Sequence, residues 1–366
     1  MMKKCFIAIA VVGALPAMAN AQSSVTLYGV VDAGIVYTNN VKTPGGGASH
    51  WAMLSGNESG ARWGVLGTED LGGGNKAVFR LENGFNVNDG TLAQQGREFG
   101  RQAYVGVANN RYGTLTAGRQ YAAIQDFVQS MDLASPLTSF ATHPFDNDGL
   151  VNSFRIDNSV KYVTPVMSGF QAEAMYGFSN STAFAANRAF SVGAGYTKGP
   201  LTLGAGYVRA NTPTTSIAGG GAITSAPVAG ARMDQWGLAG SYALGPVTIG
   251  LLYTGALYTN SPTAIAAPGG SVRFQNFEGS VRYQITPALD VAMGETYTGV
   301  RQAGVSGHYL ETSAGVDYFL SKRTDVYLNA FYERASHNLN ANITFSGGLA
   351  SGQTQVVAVA GIRHKF

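Results

Sequence analysis

The amino-acid sequence predicts an all-β fold, a transmembrane up-and-down antiparallel β-barrel of about sixteen strands. Three observations point to the barrel. Charged residues make up 12% of the chain, about half the usual ~25%, yet after Gln22 no stretch reaches the ~18 consecutive apolar residues of a membrane helix. Apolar and polar residues alternate with a period of two in segment after segment, as in half-buried strands. Finally, "TQVVAVAGIRHKF" carries that alternation to Phe366 with no polar tail, whereas the ends of soluble domains fray.

Each part of the chain supports one element of this reading. The opening "MMKKCFIAIAVVGALPAMANA" has Lys3 and Lys4, an apolar stretch from Cys5 to Leu15, and small residues ending Ala19-Asn20-Ala21. It predicts a secretory signal peptide over 1–21, cleaved after Ala21. A membrane anchor is the alternative, but the apolar core falls short of the ~20 residues a spanning helix needs, and Pro16 interrupts it. Without the leader, 22 lysines and arginines face 21 acids, and Cys5, the only cysteine, is gone. The mature chain, 22–366, is then one near-neutral barrel with no disulfide or Cys-based metal site, and nothing in its charge suggests nucleic acid.

In "RFQNFEGSVRYQI", Phe277, Val281, Tyr283 and Ile285 share one face and Glu278, Ser280, Arg282 and Gln284 the other. "NKAVFRLEN", "QWGLAGSY", "FQAEAMYGF", "PVTIGLLYTG" and "YLETSAGVDYFL" repeat the pattern. Tight turns such as "LGGGNK", "KGP", "LGP" and "SKRT" alternate with long Gly/Ser/Pro-rich connections, among them "NNVKTPGGGASHWAMLSGNES" and "NTPTTSIAGGGAITSAPVAGA". Turns on one rim and loops on the other describe an up-and-down barrel. Aromatics recur near strand ends on the apolar face, including Tyr162, Phe178, Tyr242, Tyr283, Tyr318 and Tyr332; such girdles sit where hydrocarbon meets headgroups.

In hydrocarbon every backbone N–H and C=O needs a protein partner, so the sheet must close. The last strand, Thr354 to Phe366, should therefore pair with the first, "SSVTLYGVVDAGIVY". Parity there puts Val356, Ala358, Ala360, Ile362 and Phe366 toward lipid and Arg363 and Lys365 toward the lumen. The same rule sends Arg80, Glu82, Asp157, Lys161, Glu278, Asp290, Glu311 and Asp317 inward, because a charge on the lipid face near the midplane costs about 2–4 kcal/mol. Glu295 breaks the rule, sharing parity with Val291 and Met293. An interior bounded by so many strands is too wide for side chains to fill and should hold water.

Several stretches resemble the general porins of Gram-negative outer membranes, particularly the β-proteobacterial and neisserial type: "SSVTLYGVVDAGI", "SGARWGVLGTEDLGGGNKAVFRLENGFN", "FGRQAYVGVANNRYGTLTAGRQY", "NSVKYVTPVMSGFQAEAMYGF", "YFLSKRTDVYLNAFY" and "GIRHKF". The resemblance implies a sixteen-stranded outer-membrane barrel, a homotrimer passing small hydrophilic solutes and ions by diffusion, with Phe366 as the signal read by the outer-membrane assembly machinery. It also implies that the third loop, about 122–152, folds into the lumen as a constriction. Arg62, Arg101 and Arg155 fall at the positions of the family's wall arginines, each inward if Trp63, Tyr104 and Val160 face out. Asp126 and Asp132 are candidates for the opposed loop acids, with Glu82 from the wall and Asp146 and Asp148 as substitutes. Clustered arginines stay charged at any relevant pH. With Lys161, Arg363 and Lys365 also inward, weak anion preference follows.

Other functions have less behind them. His143, Asp146 and nearby serines could form a triad, but no G-x-S-x-G elbow surrounds any of them, so no enzyme is expected. Five scattered histidines make no metal site, no P-loop is present, and no cofactor is implied. A substrate-specific channel lined by an aromatic ladder is the closer rival; Tyr258, Phe319, Tyr327 and Phe331 have lumen parity but are scattered. An adhesive surface role for the long loops is a third possibility.

Overall fold

The computed structural model describes residues 23–366 apart from 134–142, 151–153, 217, 219 and 337; the leader over 1–21 lies outside the described residues. The strands are β1 (Ser24–Thr43), β2 (Gly46–Ser55), β3 (Arg62–Gly72), β4 (Asn75–Gly84), β5 (Gln102–Asn109), β6 (Gly113–Gln120), β7 (Ile156–Val163), β8 (Phe170–Gly177) and β9 (Ala189–Lys198). They continue as β10 (Leu201–Asn211), β11 (Arg232–Leu244), β12 (Val247–Thr259), β13 (Val272–Thr286), β14 (Leu289–Gln302), β15 (Val305–Phe319), β16 (Thr324–Ala335) and β17 (Thr354–Lys365). All belong to one 17-stranded sheet. Both β2 and β3 pair antiparallel with β1, through Ala33–Thr43 and Ser24–Val30 respectively, so they are the two halves of one crossing and the barrel has sixteen.

Closure occurs where the terminal alternation places it. β17 pairs with β1 in a register running from Val30↔Lys365 to Thr38↔Val357. Phe366 and Gly29 exchange both backbone hydrogen bonds at 3.0 Å. Gly29 is required by close approach, since a Cβ there would stand 2.3 Å from the Phe366 ring. The final residue is therefore part of the seam.

The first described residue, Phe366 and most short turns share one rim, and the long connections share the other together with the tight turns at 44–45 and 303–304. The stretch from Asn39 to Ser59, expected as a long loop, is corrected. Its glycines and proline form only a tight turn at 44–45, and the strands continue on either side with the Trp51 ring 4.8 Å from Tyr37. Side-chain alternation outweighed turn composition there. Only 56–61 leaves the sheet.

Outward residues such as Val25, Leu27, Leu238, Leu251, Phe277 and Leu328 are exposed on the barrel surface, as are Tyr242, Tyr283, Tyr318 and Tyr332 of the girdles. Inward positions carry the buried acids Glu82, Glu278, Glu311 and Asp317. Glu295 does stand on the outer face, where Thr312 Oγ1 donates to its carboxylate at 2.6 Å. Among inward residues, Tyr258, Phe274, Tyr309 and Met233 form an apolar shelf that Phe145, Ile223, Val228, Leu339 and Ala341 of the long connections cover. The upper interior is thus filled partly by folded-in loops, because the apolar shelf gains about 25 cal/mol per Å² when removed from water. Only the remaining space is left for solutes.

Gly29→Val should displace the Phe366 ring from the seam and cost about 1–3 kcal/mol as an overpacked site. Denaturant unfolding of the folded barrel in detergent, compared with the wild type, measures that loss.

Candidate pore constriction

The connection between β6 and β7 enters the lumen from Tyr121. A one-turn helix, Ala123–Phe127, and a tighter turn, Gln129–Met131, lie on the inner wall of β9 to β12. Ile124, Val128 and Met131 pack with Leu150, Ala239 and Leu252 in a closed apolar cluster. The wall admits them because it is bare. A Cβ at Gly193 would stand 2.6 Å from Ala123, one at Gly206 2.7 Å from the Ile124 backbone, and one at Gly250 2.4 Å from the Met131 carbonyl. These inward glycines in "SVGAGY", "LTLGAGY" and "TIGLL" were the sequence signal for where the loop docks. Gly206→Val should push the helix toward the pore axis and lower single-channel conductance roughly twofold, since passage is set by pore radius.

Opposite the helix stand the arginines. Arg101 Nη2 donates to the Tyr121 hydroxyl at 3.0 Å and Arg155 Nη2 at 2.7 Å, with the Arg155 guanidinium 4.7 Å from the Tyr121 ring centre. Arg101 Nε also reaches Glu82 Oε1 at 2.7 Å, and the Tyr28 hydroxyl donates to the other Glu82 oxygen at 2.7 Å. Arg62, Arg101, Tyr121 and Arg155 all line a lumen cavity of about 1060 Å³. Arg62, Arg101, Arg155 and Glu82, chosen from sequence, are therefore brought together. Tyr121 was missed, since a single tyrosine at a strand end has no pattern to mark it.

The loop acids lie elsewhere. Asp126 pairs with Lys161 Nζ at 2.5 Å rather than with an arginine, and Lys161 lies 3.6 Å from Glu173. Asp132 is buried against the far wall, where the next residue's N–H donates to Ser280. Arg80 stacks over Tyr28 at 5.5 Å. Asp157 is held between Arg97, at 3.2 Å, and Arg119. Arg363 is buried among Asp317, Asp325 and Glu58 at 2.9, 2.9 and 3.0 Å. Those three carboxylates come within 4.8 Å of one another, with the guanidinium in the place a cation would take. Lys365 lines the cavity.

Residues 56–61 form a second inward projection that the sequence did not disclose. Asp32 accepts from the N–H groups of Glu58 and Ser59 at 2.8 and 2.7 Å, and Arg363 and Asn329 hold the Glu58 carboxylate. This lip shares the cavity with Gln125, Gln129 and Ser130 of the loop, and a Cβ on Gly60 would stand 3.1 Å from Arg101. The passage is bounded on both sides.

The far end of the third loop is anchored by charge. His143 Nδ1 lies 2.6 Å from Asp148 Oδ2 and its Nε2 3.5 Å from Glu278, beside Thr254 and Asn276. Burial opposes charge on His143, but Asp148 and Glu278 outweigh it and hold the imidazole well above its ordinary 6.5. Burial likewise raises Asp148, but His143 and the Thr254 hydroxyl pull it below 3.8. The histidine's contribution is complete below its unfolded value and is lost as pH rises through the raised one; that of Asp148 is present above its unfolded value and lost as pH falls through the lowered one. The anchor therefore holds across neutrality. His143→Ala should leave Asp148 and Glu278 uncompensated, cost about 3–5 kcal/mol, and show as a lower denaturant midpoint with added open-channel noise at pH 7.

A closed barrel with an apolar exterior and a charged passage narrowed by its own loop is a transmembrane channel. The chain belongs to the Gram-negative porin family, whose model matches residues 8–338, and it is an integral protein of the outer membrane. An outer membrane porin protein of Bordetella pertussis is 32% identical and outer membrane porin protein 32 of Delftia acidovorans 31%, each over 100% of both chains. An anion-selective porin from Comamonas acidovorans has a TM-score of 0.77 at 26% identity, covering 94% of this chain and 100% of that one. OmpT of Vibrio cholerae, solved in a trimer form, shares the fold, with a TM-score of 0.66 at 16% identity over 94% of this chain and 99% of that one.

Proposed function

We propose that this porin passes ions and small hydrophilic solutes by general diffusion with a weak preference for anions, set where Arg101 and Arg155 converge on Tyr121 beside Arg62. That convergence carries the reading. Screening at physiological salt acts over about 8 Å, comparable to a narrow passage, so charges on its walls keep a field across it, which low-dielectric walls focus. The preference is weak because Glu82 offsets Arg101 and the Arg363 charge is consumed by its three acids. Asp126 offsets Lys161 in the same way. Similarity to an anion-selective porin supports the sign.

In the same proposal residues 1–21 are the cleaved signal peptide, 122–152 form the constriction loop, the barrel is a homotrimer, and Phe366 is the assembly signal. The trimer form of OmpT supports the assembly. The protein is a channel, and no catalytic role is assigned to His143, whose ring is committed to the loop anchor. A ladder-type specific channel finds little support: Tyr258, Tyr327 and Phe331 are 0%, 4% and 2% exposed, which leaves Phe319 alone of the four on the cavity.

Reversal potentials in a planar bilayer under a KCl gradient test the proposal. The wild type should give open, ohmic steps and a small anion-side potential that fades at 1 M salt, where screening shortens to ~3 Å. Arg62→Ala with Arg155→Ala should move the potential toward cations, and Glu82→Gln should move it further toward anions. Conductance that appears only when a particular solute is added would sink the general-diffusion reading.

A further inference from the structure

The outer surface of the barrel carries a charge cluster that the pore does not use. Arg209 lies near the loop end of β10, Arg232 opens β11, Arg273 stands second in β13 and Arg301 next to last in β14. All are on the long-loop rim and share parity with outward residues: Arg209 with Leu203, Arg232 with Leu238, Arg273 with Phe277, and Arg301 with Tyr297. Arg209, Asp234, Leu257, Arg273 and Arg301 occupy one continuous cross-strand row. Asp234 is the acid of this group, bonded by Arg209 at 2.5 Å and Arg232 at 2.6 Å. Arg273 and Arg301 are direct cross-strand partners, both exposed, and among the described residues neither has an acidic partner. Like charges placed directly opposite on a sheet are destabilising.

We propose that this rim binds the phosphate-bearing headgroups of outer-leaflet lipid. Position identifies the occupant. Along the same outward faces Tyr207 and Trp236 come one row below the arginines and Tyr253, Phe277 and Tyr297 two rows below, with Gly255, Gln275 and Gly299 between; such aromatics mark the hydrocarbon boundary. Whatever touches the arginine row, one to two rows above these aromatics, lies at headgroup depth. Four guanidiniums against one carboxylate attract anions, and guanidinium pairs with phosphate bidentately. A shared phosphate also removes the conflict between Arg273 and Arg301. Arg273 rests 5.9 Å from the Trp236 ring centre, so the site has an optical reporter.

The test uses the full-length barrel with Trp51→Phe and Trp63→Phe, reconstituted in phosphatidylcholine nanodiscs into which phosphatidic acid is titrated while Trp236 emission is read. A saturable shift with phosphatidic acid is expected. In Arg273→Gln with Arg301→Gln it should need roughly 30-fold more lipid, at about 1 kcal/mol per arginine near a charged surface. Identical titrations of this variant and its parent would overturn the site. An equal shift from inorganic phosphate at matching concentration would assign it to free anions and overturn the lipid occupant. Single-channel conductance of the variant should equal that of the wild type; a changed conductance would place these arginines in the pore and overturn the inference, whereas the outcome for ion preference bears on the channel reading alone.

Discussion

The hydrogen-bonding requirement of the backbone in hydrocarbon governs everything else in this molecule. A sheet immersed in lipid can leave no N–H or C=O unpaired, so sixteen crossings must meet edge to edge and the last residue must be engaged. That is why Phe366 exchanges backbone bonds with Gly29, and why Gly29 has no side chain. Strand geometry divides the side chains: successive residues face lipid and lumen in turn, and away from the rims polar groups accumulate inside.

Closure at this strand number creates a second problem, an interior too wide to be filled by wall side chains. The protein meets it with its long connections. Their apolar residues settle on an apolar shelf in the upper half, while the third loop lies against a wall stripped to glycine. The β6–β7 connection and the 56–61 lip are then fixed by charge at separate points, His143 between Asp148 and Glu278 on one side and Arg363 among Glu58, Asp317 and Asp325 on the other. Placing these anchors away from the arginine cluster leaves the passage itself open.

The barrel was legible in the sequence because a period of two is imposed along every crossing, and lipid punishes each violation. Arg62, Arg101 and Arg155 were marked by the resemblance to the porin family, with parity against Trp63, Tyr104 and Val160 turning them inward, and Glu82 by its parity opposite Leu81. Loop residues have no such period. Asp126 and Asp132 could be chosen only as acids in the right segment, and their partners, Lys161 and the far wall, depend on how the helix Ala123–Phe127 is rotated. Parity alone turns Arg363 inward, and its neutralisation requires the registers of β15, β16 and β17 together with a lip that ordinary turn composition concealed. Glycine and proline between Thr43 and Gly47 suggested a long loop where the strands merely turn.

Arg101 and Arg155 both contact one phenolic oxygen, so their donor nitrogens are within about 6 Å of each other. At an effective dielectric near 20 that proximity costs roughly 3 kcal/mol. Glu82 and the Tyr121 hydroxyl and ring offset the repulsion by contacts with ordered geometry. Arg155 is itself buried, while Arg62 and Arg101 are half-buried on the same cavity wall. A pore built this way does not need an excess of lumen arginines to prefer anions. Arg363, Arg119 and Lys161 are each paired with acids where they stand, which leaves the cationic character of this cavity wall to Arg62 and to the arginines gathered around Tyr121.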